Sequence, residues 1–393
     1  MIPHAQTTSP ASFSMADVHQ PVLKVLGLGG GGCNAVERMI ELGLKGVEFI
    51  AANTDHQALQ KNQAPTKLQL GPKVTRGLGA GGDPRVGRAA AEESAKDIAA
   101  ALRGADMIFL TAGMGGGTGT GAIPVAAKIS RALGAVTIAV VTTPFSFEMG
   151  RRQRNASEGL ALLSQQTNTL ISIPNDRLLY VAPRNLPMEV AFRLADDVLR
   201  QSVQGISELI TEPGLINVDF AHIRRLIKLG GGALMAIGHG QGPTKVKKAL
   251  EQALHHPLLE EVSLEHAAGV IANFTGGEDL SLLEVQEALT ELQSQTGVQT
   301  ETVLGVINDA RLEDRVQVIL VVTGLGAPTL EETLASVKKP EAKPEPAPAS
   351  RPQQTLQQAY EASAPPRQRQ VDLSPAAAQD LDVPAFLRRR MRQ

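Results

Sequence analysis

Two glycine-rich runs in this 393-residue chain have the composition and the setting of anion-binding loops. They are Gly27-Leu-Gly-Gly-Gly-Gly-Cys-Asn34 and Thr111-Ala-Gly-Met-Gly-Gly-Gly-Thr-Gly-Thr-Gly121. Glycine permits left-handed backbone and lets amide groups approach an anion closely. Each run lies between a predicted strand and a predicted helix, whose N-terminus offers unpaired N–H groups and a partial positive charge. The hydroxyls of Thr118 and Thr120 add two further donors.

A third run, Gly77-Leu-Gly-Ala-Gly-Gly-Asp-Pro84, lies between the first two. If all three runs follow strand ends of one parallel sheet, they meet at the same edge. Three such loops suit the phosphates of a nucleoside triphosphate better than a pyrophosphate bridge. The Gly-x-x-x-x-Gly-Lys-Ser/Thr motif is missing and the loops contain no lysine, so we expect backbone amides and a bound Mg²⁺ to neutralise the phosphates.

A dinucleotide-binding enzyme is an alternative interpretation of the first run. Such folds place an acidic residue about 20 residues beyond the glycines, to bind a ribose. Asp55 meets that requirement approximately. The first run alone is therefore also compatible with a nicotinamide-dependent oxidoreductase. The second run favours a protein that binds a nucleoside triphosphate.

The segments around these loops alternate between strand-like and helix-like patterns. Val22 to Leu28, Met107 to Ala112 and Val136 to Thr142 are short apolar runs typical of buried strands, and Ala35 to Leu42 has helical periodicity. This alternation predicts an α/β fold with a parallel sheet. The apolar spacing also predicts a long helix from Pro187 to Ile210, which joins two domains.

The segment beyond this helix is predicted to be a smaller α/β domain with a mixed sheet. Its predicted strands are Ala233 to Ile237, Ala268 to Phe274, Glu301 to Ile307 and Gln317 to Val322, with helices at Lys245 to His255 and Leu280 to Gln293.

Composition limits the possible partners. The chain has 38 basic and 40 acidic side chains, so nucleic acid is not an expected partner. Its one cysteine, Cys33, cannot form an internal disulfide, which favours the cytoplasm. The longest apolar runs are well short of the roughly 18 residues of a membrane-spanning helix, so no direct membrane insertion is expected.

The last part of the chain differs in composition from the rest. Residues 327–380 are rich in proline and poor in large apolar residues, which predicts a disordered linker. Residues 381–393 then combine apolar residues with four arginines and are interpreted as a short docking peptide. Residues 1–20 are polar and irregular, and we interpret them as a disordered extension.

Several motifs together resemble the bacterial FtsZ family of tubulin-like, GTP-dependent filament proteins, from about Val22 to Gly324. The loop Gly115-Gly-Gly-Thr-Gly-Thr-Gly121 matches the tubulin signature. The other matches are Gly79-Ala-Gly-Gly-Asp-Pro-Arg-Val-Gly87, Pro144-Phe-Ser-Phe-Glu148, Ile173-Pro-Asn-Asp-Arg-Leu-Leu179, Asn217-Val-Asp-Phe-Ala221 and the terminal Val383-Pro-Ala-Phe-Leu-Arg388.

The resemblance implies a tubulin/FtsZ fold with a Rossmann-like GTPase domain (21–187), a central helix (188–212) and a C-terminal domain (213–326). It implies that GTP or GDP is bound with Mg²⁺ held by the phosphates. Glu148 is expected at the ribose, with Arg152 beside the nucleotide, although Gly150 stands one place later than in the usual pattern. The phosphate contacts implied are Gly30, Gly31, Gly32, Gly115, Gly116, Gly117, Thr118, Gly119, Thr120 and Gly121, and Ala80 and Gly81 are expected near the γ-phosphate. Asn53 and Thr54 are further expected nucleotide-binding residues.

Guanine specificity has a chemical rationale at Asp196, which occupies the family's matching position. A carboxylate can accept hydrogen bonds from both N1–H and the exocyclic amine of guanine, an arrangement that adenine does not offer. Asn34, Asn175 and Phe192 are implied as further contacts to the nucleotide.

The family's catalytic loop comes from the next subunit of a head-to-tail homopolymer. Here the implied catalytic residues are Asn217, Asp219 and His222, where the family usually has an aspartate in place of His222. Histidine can accept a proton but does not replace a carboxylate as a ligand of a hard cation. Slow or absent hydrolysis is therefore an open alternative to normal GTPase activity.

The expected function is a GTPase filament of the bacterial division ring, located in the cytoplasm at mid-cell. The resemblance implies that the terminal peptide binds membrane-anchoring adaptors. The residues implied in that contact are Leu381, Pro384, Phe386, Leu387 and Arg388.

Overall fold

The computed structural model describes residues 20–325 apart from 149, 182–186, 213, 217, 229–231, 257–263, 265–266 and 297–299. The extension up to residue 19, the linker 327–380 and the peptide 381–393 lie outside the described residues. Asn217 of the predicted catalytic loop lies outside them as well.

Ten strands of the described residues form one sheet. They are β1 (Leu23–Leu28), β2 (Glu48–Asn53), β3 (Thr66–Gln69), β4 (Met107–Gly113), β5 (Val136–Thr143), β6 (Thr169–Pro174), β7 (Gly232–Gln241), β8 (Gly269–Gly276), β9 (Glu301–Asn308) and β10 (Arg315–Leu325). Their order is β3-β2-β1-β4-β5-β6-β7-β10-β8-β9. Pairing is parallel from β3 through β6, and β10 runs antiparallel to β7 and β8. The predicted α/β class, with a parallel and a mixed portion, is confirmed.

The two portions share a continuous sheet. At their junction β6 pairs in parallel with β7 through Leu170 opposite Gly232 and Ile171 opposite Ala233. The strand patterns did not predict this junction, because periodicity identifies strands and carries no information about their neighbours.

Helices cover the sheet on both faces. They are α1 (Gly29–Glu41), α2 (His56–Lys61), α3 (Pro72–Thr75), α4 (Pro84–Glu93), α5 (Ala95–Leu102), α6 (Thr118–Ala132), α7 (Arg151–Ser164), α8 (Asn175–Val181), α9 (Met188–Thr211), α10 (Phe220–Lys228), α11 (Lys245–Leu254) and α12 (Leu282–Thr296). No helix of the described residues is long and apolar enough to cross a membrane.

The strands of the N-terminal portion are buried on both sides, which explains their uninterrupted apolar runs. In β4, Phe109 packs into the core beneath α1 and α9, while Ile108 and Leu110 face the opposite core beneath α4 and α6. The long helix α9 contributes Leu199 and Ile206 to the first of these cores. A separate core lies under α11 and α12.

Two predictions about the glycine runs need correction. Helix α1 begins at Gly29 rather than near Ala35, so most of the first run forms the first turns of the helix. The third run does not follow a strand: it comes after the short helix α3, and Leu78 forms an isolated bridge with Asp55. Glycine runs signal backbone freedom, which a loop and a close-packed helix start both use.

Candidate functional site

A cavity of about 370 Å³ opens at the carboxyl ends of the central strands, where α1 and α6 begin. Ligands of open α/β sheets bind in this crevice. The predicted site residues that line the cavity are Gly30, Gly31, Asn34, Gly116, Gly117, Thr118, Gly119, Glu148, Arg152, Asn175, Phe192 and Asp196.

The glycines at the cavity have two different uses. A Cβ built on Gly30 or Gly116 would meet no atom within 4 Å, so these positions keep the backbone accessible rather than fill a packing constraint. A Cβ on Gly32 would lie 2.3 Å from the carbonyl oxygen of Thr111, so this glycine is required for α1 to approach β4. The helix starts thereby bring their unpaired N–H groups to the same cavity.

Other predicted phosphate residues lie behind the cavity wall. The Gly115 N–H donates to the Thr120 hydroxyl at 2.8 Å, which shapes the second loop. A Cβ on Gly121 would lie 2.0 Å from the Pro84 carbonyl oxygen, so this glycine permits contact between α6 and α4. The predicted nucleotide-binding residues that do not line the cavity are Gly32, Asn53, Thr54, Ala80, Gly81, Gly115, Thr120 and Gly121.

The third glycine run nonetheless lies against the second. A Cβ on Gly117 would be 2.9 Å from the Ala80 side chain and 2.8 Å from the Asp83 nitrogen. Ala80 is buried, whereas Gly81 is exposed. The two runs therefore form adjoining loops even though only the second lines the cavity.

Glu148 and Phe192 line another part of the cavity wall, and Phe192 belongs to an aromatic cluster. Glu148 accepts a hydrogen bond from the Phe145 N–H at 3.0 Å and forms an ion pair with Arg152. The ring of Phe145 stacks on Phe147 at 5.1 Å between centroids and meets the edge of Phe192 at 5.5 Å. These contacts fix the carboxylate beside an apolar surface on which a planar ring can lie.

Two polar side chains at this wall are poised for a ligand. Asn175 is buried, and its Oδ1 has no hydrogen-bond partner among the described residues. Burial raises the pKa of Asp196 to about 7, an effect that the nearby Arg38 partly offsets. Since a buried polar group without a partner is costly, both observations fit a ligand that offers hydrogen-bond donors.

Asp55 does not serve the role that the dinucleotide interpretation required. Its carboxylate caps α2 and accepts hydrogen bonds from the backbone N–H groups of Gln57 at 2.9 Å and Ala58 at 3.1 Å. It is not among the residues lining the cavity. The acidic residue expected at a dinucleotide ribose is thus occupied elsewhere.

The predicted catalytic residues that the structure describes are not part of the cavity wall. Asp219 and His222 are exposed at the start of α10, where Asp219 accepts a hydrogen bond from the Ala221 N–H at 2.8 Å. Neither lines the cavity. In the described part of the chain, His, Cys, Asp and Glu side chains form no cluster of three or more suited to a metal ion.

Sequence reasoning missed part of the cavity wall. The further lining residues, which were not among the predicted site residues, are Gly113, Met114, Thr142, Thr143, Pro144 and Ala195. Thr142 and Thr143 end β5 and Pro144 follows it. Parallel strands present their carboxyl ends at one edge of the sheet, so this position was a usable signal.

Two family models match the chain. The model described as "Tubulin/FtsZ family, GTPase domain" matches residues 22–183, and the model described as "FtsZ family, C-terminal domain" matches residues 231–326. An FtsZ dimer from M. jannaschii is 44% identical with a TM-score of 0.76, over 79% of this chain and 90% of that chain. A mutant of the same FtsZ gives the same identity and score over 92% of its chain.

A more distant relation shows the fold alone. CetZ2 from Haloferax volcanii, solved as a GTPγS-bound protofilament, is 19% identical with a TM-score of 0.67, over 80% of this chain and 97% of that chain.

The parallel sheet and the glycine-lined cavity at its carboxyl edge define a GTPase of the tubulin/FtsZ class. The C-terminal match and the 44% identity narrow this further, and the chain belongs to the FtsZ family. It is therefore a cytoskeletal GTPase that binds GTP and GDP.

Proposed function

We propose that this protein assembles head to tail into filaments of the bacterial division ring and hydrolyses GTP where two subunits meet. The observation that supports this most directly concerns the predicted catalytic residues. Asp219 and His222 do not line the cavity that the glycine loops form. In this proposal a second subunit brings them to the nucleotide. The related structures described as an FtsZ dimer and a CetZ2 protofilament agree with such an assembly.

In this proposal the triphosphate lies along the starts of α1 and α6, with Ala80 and Gly81 near the γ-phosphate. Glu148 meets the ribose, Arg152 lies beside the nucleotide, and the base lies against Phe192. Asp196 accepts from the guanine N1–H and exocyclic amine, while Asn34 and Asn175 complete the polar contacts. Burial of Asp196 and the unpaired Oδ1 of Asn175 support this end of the site.

We propose that Mg²⁺ binds at this site mainly to the bound nucleotide. Because the described residues hold no three-ligand cluster, the phosphate oxygens and water would supply most of its ligands, as is common for this ion. When bound it neutralises phosphate charge.

The protein's own contribution to hydrolysis is positioning and proton acceptance. Phosphoryl transfer depends mainly on alignment and charge neutralisation. Asp219 of the adjoining subunit is the principal acid near the attacking water in our proposal, with Asn217 orienting that water. His222 replaces a second carboxylate, so the filament turns GTP over slowly and persists longer once formed.

The terminal peptide is proposed to bind a membrane-anchored adaptor at mid-cell, in the cytoplasm. Repetition of the peptide along a filament would strengthen a weak individual contact. The combination of apolar residues and arginines in residues 381–393 supports this role.

The proposal is tested by measuring GTP hydrolysis against protein concentration. An active site shared by two subunits predicts little turnover below an assembly threshold and a steep rise above it. A specific activity independent of concentration would contradict the shared site. Saturable binding of NAD without GTP binding would instead revive the oxidoreductase interpretation.

A further inference from the structure

Helix α7 runs along the two glycine loops, and within it only Arg152, in the first turn, lines the nucleotide cavity. Its residues Arg151, Asn155 and Gly159 are four positions apart and lie on one face of the helix. Of these, Asn155 is mostly buried, with 9% of its surface exposed, and it does not line the nucleotide cavity. The family motifs of the sequence gave it no role.

The amide of Asn155 joins the two loops. Its Nδ2 donates to the carbonyl oxygen of Gly82 at 3.2 Å and to that of Gly115 at 3.2 Å. A side-chain amide carries two N–H donors, so both bonds can form at once. One side chain thus links the loop of residues 79–83 to the loop of residues 113–119.

The contacts on either side of Asn155 keep α7 against the same loops. The Arg151 guanidinium lies 3.7 Å from a carboxylate oxygen of Asp83. A Cβ on Gly159 would lie 2.4 Å from the methyl group of Thr120, so α7 approaches the first turn of α6 as closely as glycine allows. The Asn155 amide is therefore held in place from both directions.

The loop of residues 79–83 needs such a link. The φ angles of Gly79, Gly81 and Gly82 are left-handed, at 85°, 58° and 72°. Because glycine loses more conformational entropy than other residues when it becomes ordered, this loop is costly to hold in one conformation. Gly79 donates its N–H to the Thr54 carbonyl oxygen at 3.3 Å, at one end of the loop. Asn155 holds the other end at Gly82.

We propose that Asn155 is a positioning residue for the γ-phosphate: it fixes the 79–83 loop on the 113–119 loop and thereby sets the preference for GTP over GDP. The inference rests on the proposed placement of Ala80 and Gly81 at the γ-phosphate. Asn155 acts through the loop backbone and contacts no reacting atom. Of the two loops, only the 113–119 loop lines the cavity, so we expect loss of order in the 79–83 loop to weaken the contact to the γ-phosphate more than the contacts to a diphosphate.

The test compares GTP and GDP affinities of the full chain below its assembly threshold. Asn155→Leu keeps the approximate size of the side chain and removes both donors, and Asn155→Asp places carboxylate oxygens against two carbonyls. We expect GTP affinity to fall about tenfold, equivalent to about 1.4 kcal/mol, while GDP affinity stays within about twofold. Ser164→Ala, at the exposed end of α7 where the hydroxyl donates to the Ala161 carbonyl oxygen, is the control and leaves both affinities unchanged.

Equal losses for GTP and GDP would reduce Asn155 to a structural residue and overturn the inference, as would two unchanged affinities. If Asn155→Leu does not fold, Asn155→Ser carries the same comparison, because it removes the amide and leaves a small polar group. Failure of the native chain to bind GTP would instead refute the proposed function. The two failures are therefore distinguishable.

Discussion

The hydroxyl oxygen of Thr54, just beyond β2, lies 2.6 Å from the hydroxyl oxygen of Thr118, the first residue of α6. Thr54 is fully buried and does not line the cavity, whereas Thr118 does. The hydrogen bond therefore connects the core to the start of the helix whose N–H groups face the proposed phosphates. Thr54 acts on the site by orienting Thr118.

Thr54→Val should weaken GTP binding several-fold and lower the free energy of unfolding by about 1 kcal/mol, because it removes one hydrogen bond at nearly constant volume. Nucleotide titration and denaturant unfolding measure the two effects. Thr66→Val, at the exposed start of β3, is the control and should change neither. Unaltered GTP affinity in Thr54→Val would show that Thr118 needs no such support.

Asp196 should make GTP binding depend on pH. With its pKa raised to about 7 by burial, Asp196 is ionised above that pH and protonated below it. Only the carboxylate accepts two hydrogen bonds from guanine, so affinity should fall as pH decreases below 7, approaching about tenfold per unit. Asp196→Asn should abolish this dependence, while Asp197→Asn, whose carboxylate pairs with Arg200, should preserve it.

The same carboxylate should destabilise the nucleotide-free protein at high pH. An acid whose folded-state pKa lies above its unfolded value of 3.8 binds more protons when folded, so stability declines as pH rises from about 4 to about 7. Asp196→Asn should therefore raise the free energy of unfolding at pH 8 relative to the native chain and have little effect at pH 4. Denaturant unfolding at pH 4 and at pH 8 measures the change in the free energy of unfolding. An equal change at the two pH values would contradict the prediction.

The sequence predicted the elements of the fold better than their spatial relations. Apolar runs identified β1, β4 and β5 within about one residue, since buried parallel strands have to be apolar on both faces. The pairing of β6 with β7 was not predictable in this way, because it involves two residue pairs and no distinctive side chain. Asp55 had the spacing of a ribose ligand but caps α2 instead, and spacing cannot distinguish these uses.

The candidate site shows the same limit. Glycine runs and family motifs located most of the residues lining the cavity. They could not separate Gly30, which faces open space, from Gly32, which packs on Thr111, since both are glycines at a helix start. Asn155 gave no signal at all, because its partners are backbone carbonyl groups 40 and 73 residues away along the chain.

His222→Asp should accelerate GTP turnover. The substitution adds a carboxylate at the exposed start of α10, where our proposal lacks one beside the partner's nucleotide. Steady-state phosphate release above the assembly threshold measures the effect. His222→Asn, which removes the imidazole without adding charge, should not accelerate it. Equal rates for the native chain and His222→Asp would refute slow turnover caused by His222.

Removing residues 381–393 should leave GTP-dependent assembly in solution unchanged and abolish recruitment to the membrane. The proposed GTPase and assembly residues all precede this segment. Light scattering measures assembly, and localisation of the truncated chain in cells measures recruitment. A truncated chain that failed to assemble would contradict the role of a docking peptide.

Cys33 should be nearly inert in the native protein. Burial raises the pKa of its thiol from 9.0 to about 12, so at pH 8 the thiolate is roughly a thousandfold rarer than in the unfolded chain. Cys33 also adjoins Gly32 and Asn34 in the first glycine run, so bound nucleotide should suppress the local opening that exposes it. Alkylation followed by mass spectrometry, with and without GDP, measures both effects at the only cysteine of the chain. Rapid labelling in the native state would contradict the burial, while urea-unfolded protein, which should label quickly, confirms that the reagent is active.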